Sequence, residues 1–128
     1  EDGLVTPVLR DVELKSLKQI HLEMRQLVKK AKNKNLLPNE YTGASFAISN
    51  LGMMGIENFD AVINPPQSSI LAVGASIKKP TAIANKIKLT NVMSVTLSVD
   101  HRVIDGAVGA RFLNTIVKYL EEPMRLII

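Results

Sequence analysis

Residues 98–112 read SVDHRVIDGAVGARF, and the change of pattern inside that stretch decides the architecture. From Asn91 to Val99 apolar and polar residues alternate, with Val95, Leu97 and Val99 on one side and Thr96 and Ser98 on the other, which predicts a half-buried strand. Downstream, Val108, Phe112, Leu113, Ile116, Val117 and Leu120 recur at helical steps until Pro123 stops them. A helix is therefore expected over 106–122, with Asp105 before Gly106 at its N-cap. His101 falls in the turn between strand and helix. A strand end followed by a tight turn fixes a side chain at the rim of a sheet, and a general base needs such fixing because its nitrogen must reach to within about 3 Å of the proton it takes.

Working outward, Leu14, Leu17, Met24, Leu27, Val28 and Ala31 form one face of an amphipathic pattern whose other face is Lys15, Lys18, Glu23, Arg25 and Lys29. Ser16 with Gln19 has the form of a capping box, and Asn33 or Asn35 follows a lysine-rich end, so the helix is placed at about 16–34. Pro38-Asn39-Glu40 reads as a short helical turn, and 45–49 as a strand ending in Ser49-Asn50-Leu51-Gly52. Gly52 and Gly55 punctuate a loop, Pro65-Pro66 demands extended backbone, and 69–77 is a buried strand rich in Ile, Val and Ala. A hairpin over 83–89 is expected to turn at Asn85-Lys86. These elements make an α/β fold: a mixed sheet of four or five strands with two main helices packed against it.

Composition bounds the function. The chain has 128 residues, 46% hydrophobic, which suffices for one core and is short for two, so residues 1–128 are expected to form a single unit. A net charge of +4 suits an anionic ligand but is too small and dispersed to argue for nucleic acid, and 4% aromatic content leaves no stacking platform for bases. With no cysteine, the protein supplies neither a thiolate nucleophile nor a Cys-ligated metal. No apolar run is long enough for a membrane span and no signal peptide is visible. The only histidines, His21 and His101, stand eighty residues apart without the convergent ligands of a metal hydrolase, and His21 reads as a helix-surface residue. The chain begins at Glu1 and enters an apolar pattern at once, so an upstream region is expected to be missing.

The segments ASFAISNLGMMGIENFDAVINPPQSSILAVGAS and SVTLSVDHRVIDGAVGARFL, with LEEPMRLII at the end, closely resemble the catalytic domain of the dihydrolipoyl acyltransferase components of 2-oxo acid dehydrogenase complexes, the pyruvate branch above all. The resemblance runs through the whole chain but covers only the C-terminal part of that domain, without lipoyl or peripheral-subunit-binding domains. It implies a chloramphenicol-acetyltransferase-like fold and acetyl transfer between the thiol of a dihydrolipoyl arm and coenzyme A. It further implies His101 as the base, Ser49 as the hydroxyl that stabilises the oxyanion, and Asp105 as the aspartate that shapes the site, with Arg102 or an upstream arginine as its partner. No metal is implied.

By the same resemblance the partners are further copies of the chain, in trimers that build a larger core with the active site between subunits, and the pyruvate dehydrogenase and dihydrolipoamide dehydrogenase components. The compartment is a bacterial cytoplasm or a mitochondrial matrix. Met53 and Met54 are expected to fill a packing gap near the thiol channel, and Leu126, Ile127 and Ile128 to contact neighbouring trimers. An isolated chain of this length is expected to hold coenzyme A weakly.

Plainer readings stand beside these. Asp105 caps a helix whatever else it does, Ser49-Asn50 before Leu51-Gly52 is ordinary turn chemistry, and Lys78, Lys79, Lys86 and Lys88 are a solvated surface before they are a phosphate site. A catalytically silent assembly piece, and a succinyl or branched-chain acyltransferase of the same family, are the alternative functions.

Overall fold

Ser16 caps the first helix as its spacing to Gln19 predicts: its Oγ accepts the Gln19 amide at 3.2 Å while Gln19 Oε1 accepts the Ser16 amide at 2.7 Å. In the computed structural model, which describes residues 5–127, this helix, α1, spans Leu17–Lys32 and ends at Asn33 after a last turn rich in lysine. Leu27 is its one buried residue. The partners of α1 are local in sequence. Lys30 pairs with Glu40 Oε1 at 2.7 Å, Glu40 Oε2 accepts the Leu37 amide at 2.9 Å, and the Val8 amide donates to Glu40 O at 2.8 Å. Lys30 foremost, then the Leu37 amide, holds the Glu40 carboxyl below its ordinary range. Arg10 ties the same strap by donating to the carbonyls of Asn39 and Thr42, each at 2.6 Å, and the turn at Pro38–Glu40 is the expected helical one.

Where a single core was expected, the chain divides into two compact units, Glu1–Ala44 and Ser45–Ile128. The physical reason is the locality just described: Lys30 ties α1 to Glu40, and Val8 and Arg10 hold the segment around Glu40, all within the first unit.

In the second unit the order is β1 (Phe46–Asn50), β2 (Ser69–Val73), β3 (Ile77–Ile83), β4 (Lys86–Val92), β5 (Val95–Val99) and α2 (Gly106–Glu121). β2 is the centre of a three-stranded sheet, parallel to β1 and antiparallel to β5, and its Ser69, Ile70, Leu71 and Ala72 are all buried. β3 and β4 form a separate antiparallel pair. The mixed sheet is thus present, but the four or five strands expected in it are shared between two sheets.

Two breaks cause this. The strand expected over 69–77 stops at Val73, because a Cβ on Gly74 would lie 2.0 Å from Glu57 O; the chain there lies directly against the loop, with the Ala75 amide on Ile56 O at 2.7 Å. The alternation over 91–99 likewise spans the end of β4, two linking residues and the whole of β5. The hairpin turns at Ala84-Asn85, one residue earlier than expected, with both residues at positive φ.

α2 packs on the sheet through Gly109, whose position for a Cβ lies 3.6 Å from Val99 Cγ1, and through Phe112, whose ring meets Phe46 edge-on at 5.8 Å. Pro123 ends it and opens a 3₁₀ turn, Pro123–Leu126, in which Leu126 and the following Ile127 are exposed; Ile128 lies outside the described residues.

Candidate functional site

The β2–β5 ladder runs one residue past Val99: the Asp100 amide donates to Ser68 O at 2.8 Å. His101 is therefore the first residue off the sheet, at the start of the turn that leads to α2. The turn is closed by the Asp100 carbonyl, which accepts the amides of Val103 and Ile104, both at 3.0 Å. At its far end Asp105 Oδ1 accepts the Val108 amide at 2.8 Å and caps α2. His101 itself is exposed, and among the described residues no hydrogen bond engages its ring. A free imidazole on a backbone tied at both ends has the properties a proton acceptor needs.

Arg102, one of the two partners that the resemblance offered for Asp105, does not bond it. Its guanidinium grips Asp100 instead, Nη2 to Oδ2 at 2.8 Å and Nε to Oδ1 at 3.0 Å, while the Arg102 amide also donates to Oδ1 at 3.0 Å. The side-chain contact with Arg102, then its amide, holds the Asp100 carboxyl down at about 2, and Asp100 pushes the Arg102 guanidinium up. Asp105 is bonded instead to the helix N-terminus, through Oδ1 alone. Asp100 is thus a residue the sequence reading passed over. Its signal was an acid and an arginine immediately flanking the histidine.

Ser49 lies on β1 opposite Ala72, which lies opposite Thr96 on β5. The ladder runs four residues on from Thr96 to Asp100, so at about 3.3 Å per residue the backbone at Ser49 and the start of the His101 turn are roughly 13 Å apart along the strand direction. One chain does not bring them together. At the Ser49 end, Asn50 Oδ1 accepts the Gly52 amide at 2.9 Å and shapes the turn Gly52–Met54, which throws Met53 and Met54 outward. They are 100% and 77% exposed in the single chain. Lys79 pairs with Glu57 at 3.1 Å, and Lys78, Lys86 and Lys88 are exposed. His21 is exposed on α1, in a shallow hollow lined by apolar and cationic side chains without an acid. Among the described residues no three His, Asp or Glu side chains gather as a metal site, and no helix is long and apolar enough to cross a membrane.

Known proteins similar to this chain in sequence and in fold agree with each other. The chain is 50% identical over its whole length to the dihydrolipoyllysine-residue acetyltransferase component of the pyruvate dehydrogenase complex from Rickettsia conorii, of which it covers 31%. With the mitochondrial counterpart from Dictyostelium discoideum it shares 48% identity over 98% of the chain and 20% of that protein. Among solved structures, the cubic core of the pyruvate dehydrogenase multienzyme complex superposes with a TM-score of 0.93 at 35% identity, covering 99% of this chain and 52% of that one. The Azotobacter vinelandii dihydrolipoamide acetyltransferase superposes with a TM-score of 0.92 at 36% identity and the same two coverages. The chain therefore spans about half the length of these solved chains and under a third of the curated relatives. All of residues 1–128 match the catalytic domain of the 2-oxoacid dehydrogenases acyltransferases, and the chain belongs to that family.

Proposed function

We propose that the protein transfers an acetyl group between the dihydrolipoyl thiol of a lipoyl-bearing partner and coenzyme A, with His101 as general base, Ser49 as oxyanion donor and Asp105 as the residue that shapes the turn. The observation that carries this reading is a spacing. The Azotobacter structure was solved to establish the roles of a serine, a histidine and an asparagine in that enzyme's catalytic mechanism, and those three stand 52 and then four positions apart. Ser49, His101 and Asp105 have the same spacing. Aspartate replaces asparagine at the third position, and the bond Asp105 makes here, Oδ1 accepting an amide, is one that an asparagine makes equally well.

The chemistry follows from ordinary acidities. A thiol with a pKa near 8.5 is mostly protonated at neutral pH, and an imidazole can take that proton as sulfur attacks the thioester carbonyl. The carbonyl oxygen becomes an oxyanion, and the Ser49 hydroxyl donates to it. The intermediate collapses with cleavage of the other carbon–sulfur bond, and the imidazolium returns its proton to the departing thiolate. Acetyl moves from one sulfur to the other with no net redox change. Both substrates are thiols or thioesters, so one base serves both directions.

Because the register sets Ser49 and His101 at opposite ends of one sheet, the complete site joins the histidine of one copy to the serine of another. The homo-oligomer is a trimer that assembles further into a core, with the pyruvate dehydrogenase and dihydrolipoamide dehydrogenase components as partners. Relatives of both bacterial and mitochondrial origin support a bacterial cytoplasm or a mitochondrial matrix as its setting. The test is acetyl transfer to coenzyme A followed by thiol release. His101→Ala is expected to lower kcat by about 10²- to 10⁴-fold, and Ser49→Ala by about 10²- to 10³-fold. Undiminished turnover in His101→Ala refutes the base assignment.

A further inference from the structure

Among the described residues no side chain grips the His101 ring, so the aim of the imidazole is inherited from the backbone that carries it. That backbone is held on both flanks by one residue. Before His101, the Asp100 amide is anchored on Ser68 O at 2.8 Å, and the Asp100 carbonyl collects the amides of Val103 and Ile104 at 3.0 Å. After His101, the Arg102 amide is bound by Asp100 Oδ1 at 3.0 Å. The Arg102 side chain then folds back across His101 in sequence and occupies both carboxylate oxygens, a two-pronged, charge-assisted contact. The Asp100 side chain is only 23% exposed against 89% for Arg102, so the acid sits on the protein side and the guanidinium closes it from the solvent. A pair this open to water adds little to folding stability, whereas a catalytic group displaced by 1 Å can lose about 100-fold in rate.

We propose that Asp100 is a positioning residue for the acyl transfer, holding the amide and guanidinium of Arg102 so that the turn presents the His101 imidazole in one fixed direction. This rests on the reading of His101 as the base. Asp100 passes no proton, because both of its oxygens are engaged by Arg102. Its effect is geometric rather than electrostatic, and Arg102 shares it: removing either partner releases the same turn.

The experiment combines turnover with relaxation measurements on the His101 ring, in Asp100→Ala, Asp100→Asn, Arg102→Ala and Arg102→Lys. Asp100→Ala and Arg102→Ala are both expected to lower kcat tenfold or more, leave KM for coenzyme A within about twofold, and lower the order of the His101 ring. Asp100→Asn retains an acceptor for the Arg102 amide and is expected to recover part of both losses, as is Arg102→Lys. The midpoints of the pH–rate profile stay in place. Opposite displacement of those midpoints by the Asp100 and Arg102 variants, with ring order unchanged, overturns the proposal in favour of a charge effect; so does wild-type kcat and ring order in Asp100→Ala. His101→Ala separates the two claims. If that variant retains full turnover, the base reading fails, and the ring measurement still decides whether Asp100 fixes the turn.

Discussion

Asp105 closes the N-terminus of α2 by accepting one amide, and the value of that bond is measurable apart from any catalysis. Asp105→Ala is expected to cost about 1 kcal/mol in a denaturant titration, and Asp105→Asn, which keeps the acceptor, only a few tenths. Asp100 makes a different prediction, about protons. Its carboxyl titrates lower in the folded chain than its ordinary value of 3.8, at about 2, so the grip on Arg102 contributes fully above the ordinary value and is lost as pH falls through the folded one. A carboxyl-carbon titration should place its midpoint near 2, and a midpoint near 3.8 would show that the pair does not form in solution. Ser16 and Asp105, and a stop at Asn33 or Asn35, were legible from sequence because each bonds within its own helical turn. The Asp100–Arg102 pair was not. Two residues apart, an acid and a base meet only if the turn between them bends sharply enough, and nothing in their identities records that bend.

The second sheet shows the same limit among the elements. Residues 69–77 carry apolar and small side chains throughout, and such a run specifies a strand without saying where it leaves one sheet for another. The break is set by Gly74, through its close approach to the Glu57 carbonyl from a loop 17 residues upstream. Gly74→Ala forces a Cβ against the Glu57 carbonyl and is expected to lower stability by about 1–3 kcal/mol. The β3–β4 turn was displaced by one residue for a related reason. Ala84 stands at φ +50°, a conformation that costs an alanine roughly 1–2 kcal/mol, so its sequence gives no turn signal. Replacing it removes that penalty. Ala84→Gly should raise the unfolding free energy by about 1 kcal/mol after the glycine's own entropy loss, and a destabilised variant would mean the turn is not held in this form.

At the scale of the molecule, the Ser45–Ile128 unit leaves much apolar surface uncovered: Ile48 and Met53 near the Ser49 end of the sheet, Val103 in the turn beside His101, and Ile127 at the tail. The first three lie near the two halves of the proposed site, which argues that the faces that need covering there and the groups that need each other are the same. The chain is therefore expected to sediment as an oligomer. Register makes a sharper statement, because a site shared between copies can be rebuilt from two defective ones. Ser49→Ala chains retain the histidine and His101→Ala chains retain the serine; each alone is expected to be nearly inactive. In a one-to-one co-assembled mixture, about a quarter of the interfaces unite an intact histidine with an intact serine, so turnover should return to about a quarter of the wild-type value. If both groups served within one chain, every copy in the mixture would lack one of them and nothing would return. Activity that stays at the level of the separate variants, in oligomers shown to contain both, removes the shared site.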